Sequence, residues 1–318
     1  MDWWLTLAGG IIGVVVGMTG MGGGALMTPV LVLFFGIPPL SAVSNDLVVS
    51  AVMKPVGSAV HLRRGTVNLR MVGWLAAGSV PCAFCGVLIS RALGSGSSVQ
   101  HVVKLALGVA LLVAVAGLVA RAYVALVERS EGRNRGDLSP NEVAVRPIPT
   151  LLVGAVGGVI VGMTSVGSGS LIIVALLALY PRLQASSLVG TDLAQAVPLV
   201  LSAAIGHLIF GDFRFGVTLP LLLGCLPGVY LGARLSAQVP GSIVRRVLAV
   251  VLLASALKLF NVSNLITVIV LASAVVLGWP AWLLVRRYHR SLRLTRRKRY
   301  DEPAGPGAAP TRPARQGT

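Results

Sequence analysis

The chain has 318 residues and a formal net charge of +17, yet only 12% of its residues are charged and 55% are hydrophobic. Its mean hydropathy of +0.85 lies far above that of soluble domains, which excludes a soluble globular protein and indicates an integral membrane protein. The three cysteines, Cys82, Cys85 and Cys225, all lie in apolar segments, which disfavours a disulfide framework and a zinc site.

Apolar segments follow one another along the whole chain. Several reach the ~20 residues that a helix needs to cross a bilayer, whereas those that flank two glycine-rich runs are shorter. The pattern predicts an all-α polytopic membrane protein. The segments cover residues 5–18, 25–35, 40–60, 71–93, 102–127, 148–161, 171–180, 188–210, 213–235, 243–260 and 265–285.

The same pattern occurs twice in the chain. Gly17-Met18-Thr19 opens one glycine-rich run, and Gly162-Met163-Thr164 opens a second run 145 residues later. Further pairs repeat at a spacing of 146 residues: Asp46-Leu47 and Asp192-Leu193, His61 and His207, Gly65 and Gly211, Pro81 and Pro227, Gly86 and Gly232. Two related halves with special residues inside apolar segments are typical of a membrane transporter.

The basic end of the chain indicates its orientation. From Arg286 onward there are ten Lys or Arg residues against Asp301 and Glu302, a net charge of +8. Such a cluster after the last apolar segment predicts a cytoplasmic C-terminus that contacts anionic lipid headgroups. Nucleic-acid binding is disfavoured because aromatic residues are nearly absent from the tail, and the Pro, Ala and Gly content of residues 303–318 predicts disorder.

Charge counting from this tail predicts inverted repeats. If the glycine-interrupted segment 148–180 crosses the membrane zero or two times, Arg63, Arg64 and Arg70 fall on the cytoplasmic side, in agreement with the positive-inside rule. Residues 61–70 are then inside, while their counterparts 207–214 are outside. Each glycine-rich segment is accordingly expected to be a re-entrant hairpin or a pair of short helices.

The sequence thus predicts five parts in chain order. A first transmembrane repeat occupies residues 1–127, and a second occupies residues 150–260. A cytoplasmic linker, 128–149, joins them. One C-terminal transmembrane helix, 261–288, and a basic disordered cytoplasmic tail, 289–318, follow the second repeat.

The two glycine-rich runs form the predicted substrate site, because irregular backbone at membrane depth is tolerated only where it is buried in protein or lines a wet cavity. Backbone N–H groups freed of side chains can converge on an oxyanion, and the helix that follows the first run adds its positive end. An equal alternative is close helix packing through small residues. The candidate substrate-binding residues of the runs are Gly20, Gly22, Gly23, Gly24, Ser165, Gly167 and Ser168.

Ionisable residues inside apolar segments add a second set of candidates. Asp46 and Asp192 occupy equivalent positions, and either proton coupling or helix capping accounts for them. Lys54 follows Asp46 by two helical turns, and Val200 stands at its counterpart position. Its ammonium is expected to attract a substrate anion or to form a salt bridge with one of the aspartates.

Three neutral polar residues lie beside these charges. Asn45, Thr191 and Gln195 can donate hydrogen bonds to an oxyanion, and interhelical hydrogen bonding is the alternative role.

Together these motifs resemble a known family. The glycine-rich opening, the polar pair and leucine around Asp46 and Asp192, and the run from His61 to Asn68 are similar to the TauE/SafE family of sulfite and organosulfonate permeases, over residues 5–260. The resemblance implies a multi-pass protein of the bacterial inner membrane that moves small sulfur-containing anions such as sulfite.

The sequence therefore favours a secondary transporter of a small sulfur-containing anion, driven by a proton gradient. A membrane enzyme acting on lipid or polyprenyl phosphate is a weaker alternative, since no arginine lies deep inside an apolar segment. A cation carrier is disfavoured because only two intramembrane carboxylates are present. No P-loop occurs, so no nucleotide or other cofactor is expected, and the sequence predicts no oligomeric state.

Overall fold

The computed structural model describes most of the apolar part of the chain, and all regular secondary structure in that part is α-helical. Half of the predicted linker, the end of the predicted C-terminal helix and the predicted tail lie outside the described residues. These residues are 2–19, 23–63, 65–92, 97–131, 143–167, 169, 171–180, 183, 185–235, 241–274 and 276.

The described helices divide into two sets of five, followed by one more. The first half contains α1 (Trp3–Thr19), α2 (Gly24–Phe34), α3 (Pro39–Arg63), α4 (Leu69–Ala92) and α5 (Ser97–Glu131). The second half contains α6 (Pro147–Thr164), α7 (Leu171–Leu179), α8 (Ala185–Phe210), α9 (Phe215–Leu235) and α10 (Gly241–Leu259). A shorter apolar helix, α11 (Asn264–Ala274), lies within the predicted C-terminal transmembrane helix.

Five stretches of the described chain are long and apolar enough to cross a membrane: Leu69–Ala92, Val99–Ala120, Pro147–Thr164, Ser187–Phe210 and Phe215–Gly232. The predicted all-α polytopic fold class is confirmed.

Each glycine-rich run separates a longer helix from a short one. Helix α2 has 11 residues and α7 has 9. At 1.5 Å per residue these helices are about 16 and 14 Å long, roughly half the thickness of a bilayer's hydrocarbon core. Neither helix is long enough to cross a bilayer by itself.

The start of α3 corrects one sequence interpretation. Gly36 has a left-handed φ of +61°, which ends the α2 segment, and Pro39 begins α3 with the fixed backbone that suits a first turn. Asp46 therefore lies seven residues inside α3, and Asp192 likewise lies seven residues after Ala185, the first residue of α8. Helix capping by either aspartate is wrong.

The first helix of each half packs against the fourth helix of the other half, so that α1 contacts α9 and α6 contacts α4. Glycines allow the close approach. A Cβ on Gly13 would lie 2.6 Å from the Cys225 carbonyl oxygen, and a Cβ on Gly158 would lie 2.5 Å from the Ser79 carbonyl oxygen. These two contacts join counterpart residues, so the small residues of α1 and α6 serve helix packing.

Counterpart helices α3 and α8 run antiparallel against each other. Near one end of the pair, Ser44 Oγ lies 2.8 Å from His207 Nδ1. Near the other end, Gly190 lies against His61. Counterpart helices α5 and α10 also pack together, with Gly108 of α5 against Phe260, directly after α10. An inverted repeat requires such pairs, although the orientation of the halves in the membrane stays a prediction.

The main hydrophobic core lies where the two halves meet. Its large, fully buried side chains come from central helices of both halves, and the polar cluster described below lies beside them. They include Leu47, Leu75, Leu107, Leu111, Ile172 and Leu199.

Candidate functional site

The two glycine-containing breaks meet in the structure. A Cβ on Gly24, the first residue of α2, would collide with the Ser165 carbonyl oxygen and would lie 2.8 Å from the Ser165 Oγ. Ser165 ends α6 with a left-handed φ of +58°, which is uncommon for a residue with a side chain. Its hydroxyl is buried and lies near the Asp46 carboxyl group, without a hydrogen bond of ordinary geometry to any described residue. A buried hydroxyl of this kind can reorient to donate to the carboxyl group or to a ligand.

The other predicted residues of the runs are described in part. Gly23 precedes α2 as its cap residue, and Gly167 has a φ of +121°, a conformation that essentially only glycine adopts. The Gly167 carbonyl accepts a hydrogen bond of 3.1 Å from the Leu171 N–H at the start of α7. Gly20, Gly22 and Ser168 lie outside the described residues, and their predicted role stays a prediction.

Asp46 is completely buried and held by hydroxyl groups. The Thr28 hydroxyl of α2 donates to Asp46 Oδ2 at 2.5 Å, and the Ser50 hydroxyl, one turn further along α3, donates to Oδ1 at 3.2 Å. Gly23 is close as well, because its Cβ position would lie 3.9 Å from Oδ1. The carboxyl group therefore faces the first turn of α2, where the positive end of the helix stabilises negative charge.

Lys54 and Asp192 are the other buried charged groups of the cluster, with 5% and 1% of their surfaces exposed. Lys54 lies within range of electrostatic attraction to both Asp192 and Asp46. The structure thus places in one cluster the three ionisable residues that the sequence analysis identified, two from the first half of the chain and one from the second. Direct contact of Lys54 with a substrate stays a prediction.

Asn45 and Thr191 occupy equivalent positions and make equivalent hydrogen bonds. Asn45 Oδ1 accepts from the Arg214 backbone N–H at 3.1 Å and from the Thr218 hydroxyl at 2.7 Å. Thr191 Oγ1 accepts from the Asn68 backbone N–H at 3.1 Å. Each residue therefore joins a central helix to the start of α4 or α9, which is the interhelical alternative considered from the sequence.

Gln195 links α8 to α4 and retains hydrogen-bonding capacity. Its Nε2 donates to Ser79 Oγ at 3.0 Å, while its Oε1 is buried and has no hydrogen-bond partner in the described part of the chain. Of the three neutral polar candidates, Gln195 is the one whose side chain has an acceptor left for a ligand or a bound proton.

His207 holds three helices together at one end of the α3–α8 pair. Its Nε2 lies 2.8 Å from the carbonyl oxygen of Gly162, and its Nδ1 lies 2.8 Å from Ser44 Oγ. A carbonyl only accepts, so Nε2 carries a hydrogen. The side chain is completely buried and satisfied at both nitrogens, which fits a structural role in fixing α6 against α3 and α8.

Sequence reasoning missed the hydroxyl partners in this cluster. Ser50 follows Asp46 by one helical turn, a spacing that places both on the same helix face and could have revealed it. Thr28 and Ser79 gave no such signal, because their contacts join residues 18 and 116 positions apart.

A cavity of about 470 Å³ opens near the end of α3 and the start of α4. The polar groups at its wall include Asn68 and Arg70, and the Asn68 backbone is bonded to Thr191, next to Asp192. The cavity therefore approaches the cluster from the Asp192 side. Its lining residues are Leu62, Gly65, Val67, Asn68, Leu69, Arg70 and Val143.

Comparison with known proteins identifies the family. The family model described as "Sulfite exporter TauE/SafE" matches residues 5–259, which include both glycine-rich breaks and the buried cluster. The chain belongs to the TauE/SafE family. It is accordingly a membrane transporter, and the alternative of a lipid-phosphate enzyme is excluded.

Curated relatives of the TauE/SafE chain come from Bacillus subtilis (strain 168). The probable membrane transporter protein YjnA is 38% identical over 256 residues, which cover 80% of this chain and 98% of YjnA. The probable membrane transporter protein YdhB is 26% identical over 235 residues, covering 74% of this chain and 90% of YdhB. No solved structure matches the chain.

Proposed function

We propose that this TauE/SafE protein is a secondary transporter for a small sulfur-containing anion, such as sulfite or an organosulfonate, and that transport is coupled to protons. Its substrate site lies between the two glycine-rich breaks and the middle of α3 and α8. The protein resides in the inner membrane with its C-terminus in the cytoplasm, and its two halves are inverted repeats.

The observation that supports the site most directly is the contact between Gly24 and Ser165. It joins irregular backbone from the two halves at a buried position, beside the Ser165 hydroxyl, which has no hydrogen bond of ordinary geometry to any described residue. A tetrahedral or pyramidal oxyanion needs several hydrogen-bond donors at once, and the first turn of α2 and the Ser165 hydroxyl offer them. Lys54 supplies the positive charge that selects an anion over a neutral molecule.

The coupling proposal rests on the paired aspartates. Two buried carboxyl groups and one ammonium give the empty site a net charge of −1 when all three are ionised. A substrate anion that enters this site meets electrostatic repulsion unless a carboxyl group takes up a proton. Anion binding and proton uptake are then linked by charge balance, with Asp46 and Asp192 as the coupling residues.

The experiment that tests the function is transport of ³⁵S-labelled sulfite by the full chain in proteoliposomes with an imposed pH gradient. We expect sulfite movement that depends on the gradient and that falls at least tenfold in Lys54→Met, because the variant removes the buried cation. Lys104→Met is the matched control, since the Lys104 ammonium donates to Asn261 at an exposed position outside the site.

Absence of sulfite and taurine movement under both gradient polarities would overturn the substrate assignment. Sulfite movement that is independent of the pH gradient would overturn proton coupling. Sulfite movement that is equal in Lys54→Met and the Lys104→Met control would remove Lys54 from the substrate site.

A further inference from the structure

The antiparallel packing of α3 and α8 fixes the level of each charged residue. From Ser44 to His61 is a step of 17 residues along α3, and their partners His207 and Gly190 are 17 residues apart in the opposite direction along α8. The two contacts are consistent with a single register along the pair. In that register Lys54 lies at the level of Val197.

This register places Lys54 between the two aspartates but not midway. Asp192 lies at the level of Ala59, five residues from Lys54 along the helix axis, whereas Asp46 is eight residues away. At 1.5 Å per residue these axial separations are about 7.5 and 12 Å. Both Asp192 and Asp46 attract the Lys54 ammonium.

The side chains that surround the two aspartates also differ. Asp46 has hydroxyl donors from Thr28 and Ser50. The positions in the second half that correspond to these two are apolar: Ile173 or Val174 for Thr28, and Ala196 for Ser50. The two hydroxyl positions that hold Asp46 thus have apolar counterparts in the second half, whereas Lys54 of the first half lies within electrostatic range of Asp192.

We propose that Asp192 is the counter-ion that positions the Lys54 ammonium at the substrate site, and that Asp46 is stabilised mainly by hydroxyl groups. The inference rests on the proposed function, in which Lys54 attracts the anion. It assigns a different role to each of the two aspartates. An arriving anion competes with Asp192 for the ammonium. Asp192 is then a positioning residue that acts through Lys54, and the cavity beside Thr191 opens on this side of the cluster.

The first test is a pair of double-mutant cycles on thermal unfolding of the full chain in detergent. Lys54→Met and Asp192→Asn each leave one buried charge without its partner and are expected to lower the unfolding midpoint by roughly 10 °C. The double variant Lys54→Met/Asp192→Asn removes both charges and is expected to recover at least half of that loss. Lys54→Met/Asp46→Asn is the matched control, for which we expect no recovery.

Additive losses in the Lys54–Asp192 cycle, or greater recovery in the control cycle, would overturn the pairing. This readout needs no substrate. Recovery in the cycle without sulfite transport by the native chain therefore refutes the proposed function alone, and sulfite transport with additive losses refutes the pairing alone.

The second test separates positioning from folding in proteoliposomes with ³⁵S-labelled sulfite. Asp192→Glu keeps the negative charge but moves it by one methylene, so we expect the KM for sulfite to rise about tenfold or more while the unfolding midpoint stays near that of the native chain. An unchanged KM in a folded Asp192→Glu protein counts against a positioning role. If Asp192→Asn does not fold, Asp192→Glu still tests the positioning role.

Discussion

At the scale of single residues, the site consists of buried polar groups that contact a partner on another helix. The Thr28 hydroxyl is fully buried and directed at Asp46, and the Ser165 hydroxyl is buried against the backbone of Gly24. Burying a carboxyl group in a membrane protein is costly unless nearby donors replace water. The hydroxyl groups of Thr28 and Ser50 therefore offset part of the free-energy cost of burying the Asp46 carboxyl group.

Replacing Thr28 tests this dependence. Thr28→Val keeps the shape of the side chain but leaves Asp46 Oδ2 without its donor, and the expected loss of unfolding free energy is about 1–3 kcal/mol. Thr28→Ser retains the hydroxyl and is expected to lose less than half as much. Thermal unfolding of the purified proteins measures both, and equal losses in the two variants would contradict the proposed role of the hydroxyl.

At the scale of helices, glycines determine which elements can lie side by side. Helix α1 packs along α9 through Gly9 and Gly13, and α6 packs along α4 through Gly154 and Gly158. These pairs carry each glycine-rich break into the centre of the bundle, because α1 and α6 end directly before the breaks. Close packing of the first helix of each half thus holds the ends of α1 and α6 against the other half.

Two glycines on α1 form a matched test of this packing. A Cβ on Gly13 would lie 2.6 Å from the Cys225 carbonyl oxygen, whereas the nearest neighbour of a Cβ on Gly10 would be the Gly224 carbonyl oxygen at an ordinary 3.7 Å. Gly13→Ala is expected to cost about 1–3 kcal/mol of stability through overpacking, and Gly10→Ala to be close to neutral. Comparable unfolding midpoints for the two variants would show that the α1–α9 approach is looser than the structure indicates.

At the scale of the whole molecule, the contacts between the two halves are symmetric. The first helix of one half contacts the fourth of the other in both directions, and the counterpart helices α3 and α8 are antiparallel. The charge pattern independently predicts that corresponding loops lie on opposite sides of the membrane. Symmetry at this scale provides two equivalent ends through which a central site can open alternately.

Labelling of introduced cysteines tests the orientation of the halves. Arg70 is exposed and Asp212 is half-exposed, and the two lie near corresponding helix junctions of the first and second halves. We expect a membrane-impermeant maleimide to label Asp212→Cys in intact cells, and Arg70→Cys only after permeabilisation. Labelling of the native chain gives the background from its own three cysteines. Labelling of both introduced cysteines from the same side would contradict inverted repeats.

The sequence by itself determined the class of the molecule and the identity of its unusual residues. Hydropathy specified a helical membrane protein, the repeat paired Asp46 with Asp192, and Lys54 stood out as an ammonium in an apolar segment. These conclusions hold because the bilayer penalises polar groups so strongly that each one inside an apolar segment is informative wherever it lies in the fold.

Only the tertiary structure decided how those residues are used. It placed Asp46 within α3 and beside Thr28, joined Gly24 to Ser165, and brought Lys54 within electrostatic range of both Asp192 and Asp46. None of these facts follows from local pattern, because each depends on contacts between helices that are distant in sequence. The register of α3 against α8 in particular is set by the packing of small residues and buried hydrogen bonds across the two halves, which a hydropathy pattern does not encode.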